Sequence, residues 1–209
     1  MPSFDTLLTK YPAHVWLGHH PAANGPRLST GLDGLDQLIG GGWLMGSLVE
    51  ILAAGPGLGE LSLLMPAIAH CTHRGRGAFW LPAEALPYAP ALQQAEVNLA
   101  GLCLVATADE RQRLWAAEQC LRSGACDLVL IAGLKDVPLR NLRRLKLAAA
   151  AGGSIAFLHR GERTAAQPSP ADMRLRVRRL PGPTAAIQVS VLKCRGQSIR
   201  TVQLRLPGH

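Results

Sequence analysis

The amino-acid sequence predicts an α/β protein with a mainly parallel central sheet, helices on both faces of that sheet and a C-terminal antiparallel hairpin. Five short apolar runs have the length of buried strands: residues 48–52, 78–81, 102–106, 128–132 and 155–158. Helix-like stretches separate them, at residues 61–73, 90–99, 109–123 and 138–151. This alternation predicts a parallel sheet, because continuous apolar strands need cover on both faces and each crossover supplies a helix.

The period of the sequence changes to two after Gln167. Residues 173–178 alternate apolar and basic side chains, and residues 186–194 and 198–206 flank the short segment 195–197, Arg-Gly-Gln. We expect residues 173–178 to form an edge strand and the two later segments to form a hairpin with a glycine turn. Residues 1–26 show no sustained period and predict an irregular N-terminal arm, so the core is expected to span residues 27–209.

The composition indicates one domain of ordinary size with a basic second half. The chain has 209 residues and a formal net charge of +8. Residues 1–104 carry 4 Lys and Arg against 7 Asp and Glu, whereas residues 105–209 carry 18 against 7. We expect the second half to contact a polyanion or an acidic protein surface, with a merely solvated surface as the alternative. No apolar run approaches the roughly 20 residues of a membrane-spanning helix, and no export signal is present, so we expect a cytoplasmic protein that contacts no membrane.

The cysteine, histidine and serine residues predict neither a metal site nor a hydrolase. The pair at residues 19–20, His-His, has no carboxylate or cysteine at ligand spacing, and no serine lies in a G-x-S-x-G motif. The cysteines are odd in number and form no C-x-x-C pair, which is typical of reduced thiols in a cytosolic protein. They are Cys71, Cys103, Cys120, Cys126 and Cys194.

The segment AAGPGLGELSLL, which follows the first apolar run, occupies the position of a phosphate-binding loop. In a working loop, G-x-x-x-x-G-K-[ST], backbone N–H groups cradle the phosphates, the lysine reaches the β- and γ-phosphates and the hydroxyl binds Mg²⁺. Here Gly55, Gly57 and Gly59 are present, but Glu60 replaces the lysine and Leu61 replaces the hydroxyl residue. A carboxylate about 4 Å from a phosphate costs about 4 kcal/mol at an effective dielectric near 20. We interpret the loop as vestigial and expect the helix dipole to stabilise Glu60 in a first helical turn.

The second half of an ATPase site is missing as well. In such a site an acidic residue ends a later apolar strand and holds Mg²⁺. Here the apolar run 128–132 ends in Ala132, and Asp127 lies before that run rather than after it. The loss of both halves predicts a nucleotide-binding fold with no cofactor, no metal ion and no catalytic activity.

Several motifs resemble the core of RecA-type recombinases, in the same order along the chain. They include residues 27–31 (RLSTG), 46–51 (GSLVEI) and 191–196 (VLKCRG), and the resemblance covers roughly residues 27–206. It implies a RecA-like domain. Glu84 falls where RecA keeps its water-activating glutamate, and the resemblance implies only a relic or a hydrogen-bonding role for it here.

A narrower resemblance is to the ImuA family, the accessory proteins of bacterial SOS mutagenesis, in which a Gly-Glu-Leu replacement of the lysine motif is typical. It rests on residues 40–43 (GGGW), 57–64 (GLGELSLL), 86–92 (LPYAPAL) and 115–119 (WAAEQ). It implies a non-catalytic adaptor in damage-induced translesion DNA synthesis. The implied partners are ImuB, an inactive Y-family polymerase relative, and through it an error-prone replicative-type polymerase, with RecA and single-stranded DNA as further candidates.

Two other functions stay open at this point. Some members of that family are labelled SulA-like, so one alternative is an inhibitor that binds the tubulin-like cell-division protein. The other is a residual nucleotide-binding switch.

Nine basic residues of the second half are candidate contacts with DNA or with an acidic partner: Arg140, Arg143, Arg144, Lys146, Arg160, Arg163, Arg174, Arg176 and Arg178. The first four belong to the predicted helix 138–151, where the arginines share one side and the lysine lies at its margin. The next two lie in the segment that corresponds, by the resemblance, to the second DNA-binding loop of RecA. The last three share one face of the predicted edge strand. Few aromatic residues stand among them, so the pattern favours charge contacts over stacking on bases.

Overall fold

The structure, a computed structural model, describes residues 25–55, 57–83, 86–182, 186–194 and 200–206. The predicted arm at residues 1–26 lies outside this description except for its last two residues. Glu84 and the predicted turn at residues 195–197 also lie outside the described residues.

The described chain begins with a small unit that the sequence analysis did not predict. Strands β1 (Arg27–Leu28) and β2 (Trp43–Leu44) pair in antiparallel fashion, and helix α1 (Asp33–Ile39) lies between them along the chain. The carboxylate of Asp36 accepts hydrogen bonds from the Ser29 hydroxyl (2.7 Å) and the Thr30 N–H (2.9 Å). These bonds tie the turn before the helix to the helix itself.

An eight-stranded mixed sheet forms the centre of the described chain. Six strands are parallel: β3 (Leu48–Ala53), β4 (Ala78–Leu81), β5 (Leu102–Leu104), β6 (Leu128–Leu134), β7 (Ile155–Gly161) and β8 (Met173–Arg179). Two further strands continue the sheet in antiparallel fashion: β9 (Ala186–Cys194) and β10 (Thr201–Arg205). The order across the sheet is β10-β9-β8-β3-β7-β6-β4-β5. The predicted α/β class, with a mainly parallel sheet and a C-terminal antiparallel hairpin, is confirmed.

Strand β8 is not the edge strand that its alternating sequence predicted. It pairs in parallel with β3 and in antiparallel fashion with β9, so it is internal, and the outer strands of the described sheet are β10 and β5. Its apolar residues Met173, Leu175 and Val177 are buried in the core, and Arg174 is buried as well. The basic face of β8 is therefore buried at Arg174 and becomes solvated towards Arg178, which is exposed.

Helices cover both faces of the sheet, as predicted. On one face, α1, α2 (Met65–Arg74) and α3 (Ala89–Gln94) enclose a core with the apolar side chains of alternate strand positions. On the other face, α4 (Glu110–Arg122) and α5 (Leu139–Gly152) enclose a second core. All six residues of β3 are buried because this central strand is covered from both sides.

Two helices differ from their predicted bounds. Helix α2 begins at Met65 rather than at residue 61, because residues 61–64 form turns. Helix α3 ends at Gln94, and a separate 3₁₀ turn (Leu99–Gly101) replaces its predicted end. Helix α4 agrees closely with its prediction, and the carboxylate of Asp109 caps it by accepting from the Gln112 N–H at 2.7 Å.

Candidate functional site

The loop that follows β3 holds its own carboxylate against its backbone. Gly57 and Gly59 have left-handed backbones, with φ of +78° and +94°. The side chain of Glu60 turns back onto this loop, and Glu60 is only 2% exposed. Its Oε1 accepts a hydrogen bond from the Gly57 N–H at 3.0 Å, and its Oε2 accepts one from the Leu58 N–H at 2.8 Å. Successive backbone N–H groups that converge in this way bind anions, and the anion bound here is Glu60.

Glu60 is therefore stabilised by direct hydrogen bonds and not, as predicted, by a place in the first turn of a helix. Helix α2 begins five residues later, and its proline at residue 66 has no N–H to offer. The residues between form turns, in which the N–H groups of Leu63 and Leu64 donate to the carbonyls of Gly59 (3.1 Å) and Leu61 (2.8 Å). The positive end of the helix dipole thus lies beyond the loop rather than at its N–H groups.

The hairpin packs directly against this loop. A Cβ added to Gly59 would lie 2.6 Å from Cγ2 of Ile187 and 2.9 Å from Cδ1 of Leu206. The remaining cavity is about 320 Å³ in volume, and residues of the loop and of the hairpin line it. On the sheet below, burial lowers the pKa of His159, although the negative charge of Glu60 opposes this shift. Glu60, apolar side chains of the loop and the hairpin, and Arg179 at the end of β8 thus line this cavity.

A guanidinium lies at the carboxyl ends of β4 and β6, where an ATPase would hold Mg²⁺. Arg113 of α4 is 7% exposed, and it donates to the carbonyl oxygens of Ala83 (3.0 Å) and Ala132 (3.4 Å). The next residue, Gly133, has a φ of +68°, and its Cβ position would lie 2.2 Å from Cβ of Ala83. The two strand ends are therefore joined by a cation and leave no room for a larger residue.

Sequence reasoning missed Arg113, although a signal for it exists. It lies four residues before Ala117 and eight before Leu121, both of which are buried in the core beneath α4. An arginine on the core-facing stripe of a helix needs partners inside the protein, because a buried charge without them is costly.

Three charged residues form a buried cluster at the centre of the sheet. Glu50 is 0% exposed on β3, and it accepts from Arg160 Nη1 (2.9 Å), Arg174 Nε (2.6 Å) and the Ser169 hydroxyl (2.9 Å). Arg174 also donates to the carbonyl oxygen of Thr164 at 2.8 Å. The cluster thus fastens the connection between β7 and β8 onto the strand that lies between them.

The prediction that Arg160 and Arg174 contact DNA or a partner is wrong for the protein in this conformation. Arg160 lies in β7 and not in a loop, and it is 2% exposed; Arg174 is 7% exposed. Both guanidinium groups face the carboxylate of Glu50. Their positive charge balances a buried negative charge, so neither residue is available to an external phosphate.

The basic residues of α5 divide into two kinds. Lys146 donates to the Asp172 carboxylate at 2.7 Å, and Arg144 donates to the Glu118 carboxylate of α4 at 2.5 Å. These two residues hold the helix against its neighbours. Two arginines of α5 are exposed and have no ion pair with any residue that the structure describes: Arg140 and Arg143.

Some of the basic residues after β7 also form ion pairs, and others do not. Glu162 lies 3.1 Å from Arg176 Nε and 2.5 Å from Arg178 Nη2. Arg163 is exposed and has no ion pair within the described ranges. An open cleft of about 830 Å³ is lined by Arg163, Arg174 and Arg176 together with Glu162, whose carboxylate offsets part of their positive charge.

A second cleft, which sequence reasoning did not predict, lies between α4 and α5. Its volume is about 480 Å³, and both helices contribute polar and apolar side chains to its walls. It brings Trp115, whose exposed fraction is 61%, beside Arg111, Arg140 and Arg144. The sequence suggested that aromatic residues are scarce among the arginines, but the packing of the two helices places an open indole among them.

The cysteines of the protein are all free thiols. Burial raises the pKa of Cys71 to about 12 and that of Cys126 to about 11. Within the described ranges, no group of three His, Cys, Asp or Glu side chains is placed to hold a metal ion. None of the helices described here combines the length and the apolar character needed to cross a membrane.

Among known proteins, no family model matches this sequence and no curated protein matches it. The geometry of the two clefts, the loop and the buried charges is therefore the basis on which a function can be argued.

Proposed function

We propose that the protein is a non-catalytic adaptor in damage-induced translesion DNA synthesis, which holds partners together without turning over a nucleotide. The observation that carries the non-catalytic part is the bonding of the Glu60 carboxylate to the N–H groups of Gly57 and Leu58. An incoming phosphate would find both donors occupied and would be repelled by the same carboxylate.

The carboxyl ends of the neighbouring strands support the same conclusion. Arg113 donates there to the carbonyls of Ala83 and Ala132, so a cation stands where Mg²⁺ would require a carboxylate. A divalent ion would be repelled by the guanidinium and would lack an oxygen-rich ligand set. Both halves of the nucleotide site thus oppose the ligand that they would have to bind.

The pathway part of the proposal rests on the resemblance of GLGELSLL and WAAEQ to the ImuA family. The proposed partner is the ImuB-like, catalytically inactive relative of the Y-family polymerases, and an error-prone replicative-type polymerase joins through it. RecA is a further proposed contact. Large exposed apolar side chains, which suit docking, are available on the described surface: Leu86, Tyr88, Trp115 and Leu147.

Co-expression with the ImuB-like protein tests this proposal. The two proteins are expected to co-elute in size-exclusion chromatography, and the complex should be unchanged by ATP and Mg²⁺. As a parallel arm, the isolated protein is added to the purified tubulin-like division protein, whose polymerisation it should leave unchanged. Failure to co-elute, together with inhibition of those polymers, would replace the adaptor with a SulA-like inhibitor. Loss or gain of the complex on addition of ATP would instead indicate a nucleotide switch.

A further inference from the structure

We propose that the cleft between α4 and α5 binds single-stranded nucleic acid, with a base stacked on Trp115 and phosphates held by Arg111 and Arg140. This deepens the proposed function, on which it rests for its biological setting, because it makes DNA a direct ligand of the adaptor. The cleft lies on helices rather than at the vestigial phosphate loop.

The first argument is the exposure of the indole. Trp115 is 61% exposed, whereas Trp43 and Trp80 are 0% and 5% exposed. An exposed aromatic ring on a rigid helix is a stacking platform that accepts any base, since every base has a π-face. Leu114 and Leu145 also line the cleft, whose volume of about 480 Å³ falls in the range of small-ligand sites.

The second argument is the balance of charge in and beside the cleft. Two carboxylates, those of Glu118 and Glu110, lie there, and each accepts a hydrogen bond. Glu118 lies between Arg144 (2.5 Å) and Arg122 (3.2 Å), and Glu110 accepts from the Lys135 N–H at 3.4 Å. Three arginines line the cleft with these two carboxylates: Arg111, Arg140 and Arg144.

Two of these arginines, Arg111 and Arg140, are exposed and have no ion pair with any described residue. Guanidinium groups in this state suit phosphates, because their planar donors match phosphate oxygens. Leu139 and Leu147 are exposed on α5 but do not line the cleft. The cleft itself is thus an aromatic surface within a basic rim, which favours a nucleic acid over an apolar peptide.

Fluorescence anisotropy with a labelled 20-nucleotide oligothymidylate tests the inference on the purified full chain. Trp115→Ala should weaken binding about 5- to 150-fold, as expected for the loss of one stacked base, whereas Trp115→Phe should keep most of the affinity. Arg111→Ala and Arg140→Ala should each reduce the slope of log affinity against log salt by about 0.7. Binding should also quench tryptophan emission in the wild type more than in Trp115→Phe.

Arg74→Ala is the matched control, since Arg74 is also an exposed helical arginine without an ion pair in the described chain, and its helix α2 covers the opposite face of the sheet. It should leave the affinity unchanged, and all variants should keep the wild-type melting temperature. The inference is overturned if the wild type binds no oligothymidylate at 50 mM salt, or if Arg74→Ala weakens binding while Trp115→Ala does not. It is also overturned if Trp115→Ala loses the ImuB-like partner and the protein never binds DNA, because the cleft is then a protein-docking surface. Co-elution with that partner in the absence of DNA keeps the proposed function standing when the DNA result is negative.

Discussion

Replacement of Glu50 by glutamine is expected to lower the free energy of unfolding by about 3 to 5 kcal/mol. The carboxylate accepts three hydrogen bonds, from Arg160, Arg174 and Ser169. Glutamine has the same size but no charge, so it leaves two guanidinium groups, with side chains 1% and 8% exposed, without a counter-ion. Arginine cannot shed its proton in a protein, and the cost of its buried charge therefore remains.

Glu162→Gln is the matched control for this prediction. Glu162 also faces two arginines, but its side chain is 22% exposed, and those of Arg176 and Arg178 are 30% and 55% exposed. Water screens such pairs, and their loss usually costs about 1 kcal/mol or less. The comparison therefore isolates burial, since both substitutions remove one carboxylate from between two arginines.

Urea unfolding, followed by circular dichroism, measures both variants. With a slope of roughly 2 kcal/mol per molar urea, Glu50→Gln should lower the midpoint by about 1.5 to 2.5 M, and Glu162→Gln by about 0.5 M or less. If Glu50→Gln is too unstable to purify, Glu50→Leu combined with Arg160→Met and Arg174→Met should restore folding, because apolar residues remove the buried charges together. Equal midpoints for Glu50→Gln and Glu162→Gln would refute the reasoning.

Three further predictions concern the loop and the sheet beneath it. Calorimetry should detect no ATP binding at millimolar nucleotide, with or without Mg²⁺, and Glu60→Lys alone should not restore hydrolysis; Mg²⁺-dependent heat would contradict this. Gly59→Ala should lower the free energy of unfolding by about 2 to 4 kcal/mol, because φ is +94° and the added Cβ would lie 2.6 Å from Ile187. Gly57→Ala should lower it by less in the same urea assay, because the space around Gly57 is open. Burial lowers the pKa of His159, so the unfolded chain binds more protons at acidic pH. The contribution of His159 to the free energy of unfolding should therefore be fully present above about pH 6.5 and be lost as the pH falls below it. The urea midpoint should decrease from pH 7.5 to pH 5.5, and His159→Gln should make that decrease smaller.

The strands of the sheet could be predicted because each is a continuous apolar run bounded by polar residues. The unit formed by β1, α1 and β2 could not, since its contacts are non-local. Trp43 packs edge-to-face on Phe157 with ring centroids 5.0 Å apart, and Asp36 reaches back to the turn before its helix. No periodic pattern over two-residue strands and a seven-residue helix reports such contacts.

The candidate site was harder to predict, because an arginine looks the same in sequence whether it is solvated or buried. The resemblance to RecA-type recombinases places Arg160 in a DNA-binding loop, yet β7 continues to Gly161 and includes it. The position of Glu50 was the feature of the sequence that could have predicted the burial of these arginines. A carboxylate in the middle of a buried strand requires a cationic partner, and the nearby arginines of β7 and β8 were the available ones. The exposure of Trp115 depends on how α4 and α5 pack, which the spacing within one helix does not report.

The carboxylate of Glu60 is tethered to the donors that it occupies, only two and three residues away along the chain. A group on so short a tether acts at an effective concentration of millimolar or more, which does not vary with the state of the cell. Under the adaptor function that we propose, an external phosphate would have to compete with a ligand that never diffuses away, and changes in nucleotide supply would leave this loop unchanged. No nucleotide turnover would then time the assembly of the complex. The lifetime of a complex that the protein forms is set by the dissociation rate of its interface, and the amount of complex is set by how much of each chain is made and destroyed.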